Sequence, residues 1–67
     1  MQSNLWSVVF ENVEVVRHAD GMLMLRVGEK AVSVPVRSVL PGTTVTRQGD
    51  RGRLVLAREV AQNVGLV

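Results

Sequence analysis

From Val13 to Val36 apolar and polar residues alternate with the period of two that marks strands, and two short turn sequences interrupt them. In the first, Ala19-Asp20-Gly21 suits a three-residue hairpin loop in which Gly21 supplies the left-handed residue of a bulge. That loop sets His18 opposite Met22 and Val15 opposite Leu25. The second is Gly28-Glu29, a two-residue loop with glycine first, as a type II′ turn prefers. It pairs Val27 with Lys30, Leu25 with Val32 and Leu23 with Val34.

The resulting three-strand meander gathers Val13, Val15, Leu23, Leu25, Val27, Val32, Val34 and Val36 on one face, the expected core. The opposite face holds Val16, Met22, Met24 and Ala31 beside His18 and Ser33. A sheet with apolar residues on both faces is covered on both, by its own chain or by a partner. Val16, Met22 and Met24 are therefore the candidate self-association residues, and a two-fold homodimer is the simplest oligomer they imply.

Upstream, Trp6, Val8 and Phe10 share one parity, whereas Val13 and Val15 follow the other. The period slips around Glu11-Asn12, which predicts a bulge or bend letting one long strand serve two sheets. Downstream, Pro35 lacks an amide to donate and Pro41-Gly42 breaks the chain. A strand over 43–47, a QGDRG loop and a strand over 53–56 follow. Ala57, Val60, Ala61 and Val64 then recur at helical spacing, with Gly65 where a C-cap glycine belongs. The expected architecture is mainly β: a small, partly open SH3-like or OB-like barrel of about five strands with a short C-terminal helix.

Composition agrees with that reading. Fifteen of the 67 residues are Val, and the charged fraction of 21% belongs to a globular chain. One domain spanning 1–67 is expected, short enough that it buries only about 60% of its unfolded surface. There is no Cys and a single His18, so neither a disulfide framework nor a tetrahedral zinc site is expected. Oligomerisation is the remaining common aid to stability. No apolar run nears the ~18 residues of a membrane helix. MQSNLWSVV has neither the basic start nor the apolar core of a signal peptide. The expectation is a cytoplasmic protein without a membrane partner.

Charge is unevenly placed. Residues 1–34 carry three basic and four acidic groups; 35–67 carry five arginines against Asp50 and Glu59. Arg37, Arg47, Arg51, Arg53 and Arg58 are the candidate nucleic-acid or anion-binding residues, and Gly49 and Gly52 would let the loop backbone approach a phosphate. The order GDRG lacks the Lys-Ser/Thr and long helix of a P-loop. Base stacking is not expected, because Trp6 and Phe10 are assigned to the core. Asp50 is expected to pair with Arg51 or Arg53. His18 and Asp20 are read as hairpin-turn residues, and no nucleophile, base and orienter come together in the sequence. No enzyme activity, cofactor or metal is expected. The functional expectation is an interaction module that associates with itself or another protein; the alternative is a nucleic-acid-binding accessory or regulatory protein.

The runs VSVPVRSVLPG and GDRGRLVLAREVAQNVGL resemble short phage- and plasmid-encoded β proteins of uncharacterised function. The shared positions are Val34, Pro35, Ser38, Gly49, Gly52, Leu54, Val55, Ala61, Gly65 and Leu66. This resemblance implies a strand ending in Val-Pro, a bend, a hairpin and a helix ending in Gly-Leu; it implies no catalytic residue. VPVRSVLPGTTV with GRLVL also resembles, more weakly, the swapped-hairpin DNA-binding modules of the AbrB and antitoxin type. In this chain the segment between Pro35 and Val45 is short for their helix.

Overall fold

A computed structural model describes residues 6–67. It is mainly β. Strands β1 (Ser7–Ala19), β2 (Met22–Val27), β3 (Lys30–Pro35) and β4 (Arg51–Ala57) form one open antiparallel sheet in the order β3-β2-β1-β4. A single 3₁₀ turn (Val36–Ser38) follows β3, and helix α1 (Arg58–Asn63) follows β4.

The 13-residue β1 is the spine of the sheet. Its first half pairs with β4, its second half with β2, and Glu14 belongs to both ladders, opposite Arg51 and Arg26. Two bulges set its side chains. Between Phe10 and Val13, residues 11 and 12 face a single residue of β4, and Asn12 takes φ 58°, a region that Asn tolerates better than most residues. This is the slip seen in the alternation, although it bends one sheet where two were expected.

The second bulge lies between Val15 and Arg17. The inward parity of β1 thus runs even at Val8 and Phe10, odd at Val13 and Val15, and even again at His18. The hairpin loop accordingly differs from the expected one. Asp20 and Gly21 both have positive φ (56° and 75°), which fits a two-residue type I′ turn, and the extra residue sits at Val16 in the strand. His18 therefore faces Leu23 instead of Met22, while Val15 does face Leu25. The Gly28-Glu29 hairpin has the expected register throughout.

Val13, Val15, Leu23, Leu25, Val34, Val45, Leu54, Leu56 and Ala61 form the core. Val27 and Val32 pack at its margin, but Val36 leaves the strand for the 3₁₀ turn and is exposed. Trp6, expected inside, is 83% exposed.

The expected fifth strand over 43–47 is an irregular segment along β4. Val39 bridges Leu56, and Leu40 N–H donates to the Val55 carbonyl (2.9 Å). Thr43 Oγ1 then accepts the Val55 amide (2.8 Å), and Thr44 Oγ1 accepts the Arg53 amide (2.9 Å) while Thr44 N–H donates to the Arg53 carbonyl. Side-chain hydroxyls thus take the place of strand carbonyls, which is the competition with ladder geometry that threonine offers. Val45 is carried into the core between them.

Helix α1 ends as its sequence implies. Gly65 has φ 83°, its amide donates to Gln62, and the Leu66 amide donates to Ala61 (2.8 Å). This is the Schellman arrangement, and it turns Leu66 back onto the core.

Candidate interaction surface

The alternation of β2 assigns Met22, Met24 and Arg26 to the face away from the core, together with their cross-strand partners. Ala19, Arg17 and Glu14 lie beside them on β1, and Pro35, Ser33 and Ala31 on β3. Val16, pushed out by the second bulge, joins them. Val16 and Met24 are 43% and 44% exposed, whereas Met22 is half-buried.

Two shallow depressions cross this face. One of about 170 Å³ is lined by Val16, Met24, Arg26, Ala31, Val32 and Ser33, with Leu25 below. Another of about 300 Å³ is lined by Arg17, Ala19, Asp20, Met22, Met24 and Ser33. Met24 and Ser33 border both, so the Met24 side chain is the ridge between two halves of one groove. The structure therefore gathers all three candidate self-association residues, Val16 and Met24 in the first depression and Met22 and Met24 in the second.

The arginines are distributed differently. Arg51 and Arg53 lie two apart on the same face of β4, and each meets a glutamate of β1: Arg51 with Glu14 at 3.4 Å and Arg53 with Glu11 at 3.3 Å. Exposed pairs of this kind contribute about 0–1 kcal/mol each, so they compensate charge more than they stabilise. Arg47 is in the exposed loop before β4. Arg58 follows the far end of β4, roughly 20 Å of strand away from Arg51, and Arg37 is in the 3₁₀ turn after β3, next to Val36, whose amide donates to the Gly21 carbonyl. Two of the five candidates share a face of β4, Arg47 and Arg58 flank that strand in sequence, and Arg37 belongs to the turn after β3.

Asp50 does not pair with either neighbouring arginine as expected. Its Oδ2 accepts the amides of Thr46 and Arg47, both at 2.9 Å, and lies 3.4 Å from the Thr46 hydroxyl. Those bonds, the Thr46 amide first and the Arg47 amide second, hold its carboxyl below the ordinary 3.8. The loop is docked on β1 as well: Val15 N–H donates to the Asp50 carbonyl and Gly49 N–H to the Val15 carbonyl. His18 Nδ1 lies 2.9 Å from the Thr46 carbonyl and donates to it, which fixes a proton on Nδ1. Thr44 covers Gly52, the glycine assigned to a phosphate approach, and a Cβ there would fall 2.5 Å from Thr44 Oγ1.

At the opposite end of the sheet Trp6 lies over a depression of about 440 Å³ lined by Ala57, Arg58, Glu59 and Gln62. The Arg58 amide donates to the Trp6 carbonyl (2.8 Å). Among the described residues no three His, Cys, Asp or Glu side chains cluster as metal ligands would, and no helix is long and apolar enough to cross a membrane.

Charge counted by halves of the chain hid Arg17 and Arg26, which belong to the groove face. The alternation of MLMLRV places Arg26 beside Met24 and was the available signal. Compared with known protein families, curated proteins and solved structures, the chain matches none.

Proposed function

We propose that the protein is a non-enzymatic interaction module that self-associates through the outer face of β1–β3. The observation that carries this reading is the groove centred on Met24, an apolar strip on a face that α1 and the 39–46 segment leave uncovered, since both pack on other regions of the sheet. Sheets with two apolar faces are stabilised by covering the second, and a 67-residue chain without disulfides gains most from such cover. Four of the groups able to move protons have structural partners: His18 binds a loop carbonyl, Asp50 two amides, and Glu11 and Glu14 two arginines. Light scattering over a dilution series tests the reading. The expected result is twice the 7.3 kDa chain mass at micromolar concentration; a monomer throughout sinks it.

A second reading, a nucleic-acid-binding accessory protein, draws on Trp6. An exposed indole next to Arg58 offers the stacking platform and cation that single-strand binders use. Salt-dependent quenching of Trp6 fluorescence, which comes from the only Trp in the chain, by single-stranded DNA or RNA separates it from the first.

A further inference from the structure

The two edges of the sheet are finished differently. At the β4 edge, the amides and carbonyls of Arg53 and Val55 are all engaged by residues 40–44, in some cases through the Thr43 and Thr44 hydroxyls. Edge strands left open are templates for pairing with another chain, and this one is closed. β3 forms the other edge.

Its hydrogen-bond phase follows from the register. Val27 and Lys30 flank a two-residue turn and are the bonded pair, so Val32 and Val34 also direct their amides and carbonyls at β2. The bond from Val36 N–H to the Gly21 carbonyl (2.8 Å) continues the same alternation. Ala31, Ser33 and Pro35 consequently point their backbone polar groups outward. Ala31 and Ser33 are exposed, and Pro35 has no N–H to offer. The open edge thus carries two complete donor–acceptor pairs.

Building on the self-association reading above, we propose that two copies join antiparallel along β3, about a two-fold axis at Val32. Three symmetric registers pair the two complete donor–acceptor residues, Ala31 and Ser33, with each other or with their own copies. Placing Ser33 on its own copy sets Ala31 opposite a proline without a donor. Placing Ala31 on its own copy sets Ser33 opposite Glu29, in the turn. Placing Ala31 on Ser33 of the second copy alone satisfies all four outward amides and carbonyls. It also suits the side chains. Ala31 and Ser33 are small enough for the Met24 groove of one copy to run into that of the other, and the two Val32 side chains meet at the axis on the core face. Each Glu29 falls opposite Pro35 of the second copy, next to the 3₁₀ turn that carries Arg37, so opposite charges meet at both ends.

The test is the association constant of the full chain by sedimentation equilibrium, with far-UV circular dichroism to verify the fold. Ser33→Pro removes an outward donor without touching the β2 ladder, and Ala31→Lys adds the charge that natural edges use against pairing. Both are expected to be folded monomers where the wild type is a dimer. Glu29→Arg and Arg37→Glu should each weaken the dimer about 3-fold, and together restore it. If the wild type is a dimer and Ala31→Lys dimerises equally well, or if the double charge reversal stays as weak as the singles, this edge register is wrong while self-association stands. If the wild type is a monomer at every concentration, both are overturned.

Discussion

The Thr44 hydroxyl rests on the Cα of Gly52, in the space where any other residue would carry its Cβ, and from there accepts the amide of Arg53. One close approach thus fixes both the residue type at 52 and the course of the segment that closes the β4 edge. Gly52→Ala forces Thr44 off β4 and is expected to cost about 1–3 kcal/mol in urea unfolding. In a Thr44→Ala background the same substitution should cost markedly less; an equal cost in both backgrounds shows that Thr44 is not the obstacle.

Thr43 has the corresponding role at Val55, farther along β4. Its hydroxyl oxygen is the acceptor for the Val55 amide, and Val55 is a buried residue. Thr43→Val keeps the shape and removes the acceptor, so a loss of about 1–3 kcal/mol is expected, while Thr43→Ser should lose less. Amide exchange at Val55 reports on this bond directly and should accelerate in the valine variant more than at Leu54 or Leu56.

Asp50 makes the loop before β4 sensitive to acid. A carboxylate whose folded pKa lies below its unfolded value contributes stability that is complete above the unfolded value and disappears as pH falls through the folded one. Asp50 is such a group, held down by the amides of Thr46 and Arg47. Asp50→Asn should therefore lower Tm at neutral pH, and the gap to the wild type should close as pH drops below the ordinary 3.8. A gap that persists undiminished in acid assigns the effect to something other than the carboxylate charge.

Met24 is the ridge of the groove and is substantially open to solvent in the single chain. Met24→Glu is expected to change the stability of the monomer by only about 0.5 kcal/mol, as exposed substitutions do. A dimer that covers this face should weaken at least roughly 10-fold, because a charge would then be buried without a partner, whereas one joined along the β3 edge alone leaves Met24 open and should weaken far less. Light scattering and unfolding on the same samples give both quantities.

Arg51 and Arg53 face glutamates across the sheet, so their charge is compensated before any polyanion arrives. Duplex DNA binding at physiological salt should be weak, and Arg51→Glu with Arg53→Glu should leave it within about 2-fold. A steep salt dependence abolished by that double reversal would establish the basic hairpin as a nucleic-acid surface.

The hairpin at Gly28-Glu29, the slip at Glu11-Asn12 and the helix stop at Gly65-Leu66 were legible because each is specified by a local residue choice. The bulge at Val16 was not. Either location of the extra residue keeps Val15 opposite Leu25, and the two differ only in the partners of residues 16–19, which exchange the faces of Arg17 and His18. The fifth strand failed for another reason: Thr43, Thr44 and Val45 have high strand propensity, yet two hydroxyls replaced the carbonyls a ladder would have used. Of the surface, MLMLRV revealed the apolar outer stripe. The convergence of the arginines was not readable, because it depends on how far apart the ends of β4 lie and on which glutamates the bulged β1 brings across.

The shared strand β1 also decides the order in which the domain can be assembled. Its second half meets β2 across a two-residue turn, so that hairpin and the next one form from neighbouring sequence as soon as residues up to 35 are present. Its first half has to wait for β4: Ser7 pairs with Ala57, far along the sequence. Closing so long a loop is the slow, entropically costly step. A nascent chain on the ribosome therefore carries residues 7–13 as an unpaired strand until β4 has emerged, and it is in this interval that premature pairing with another chain competes with folding.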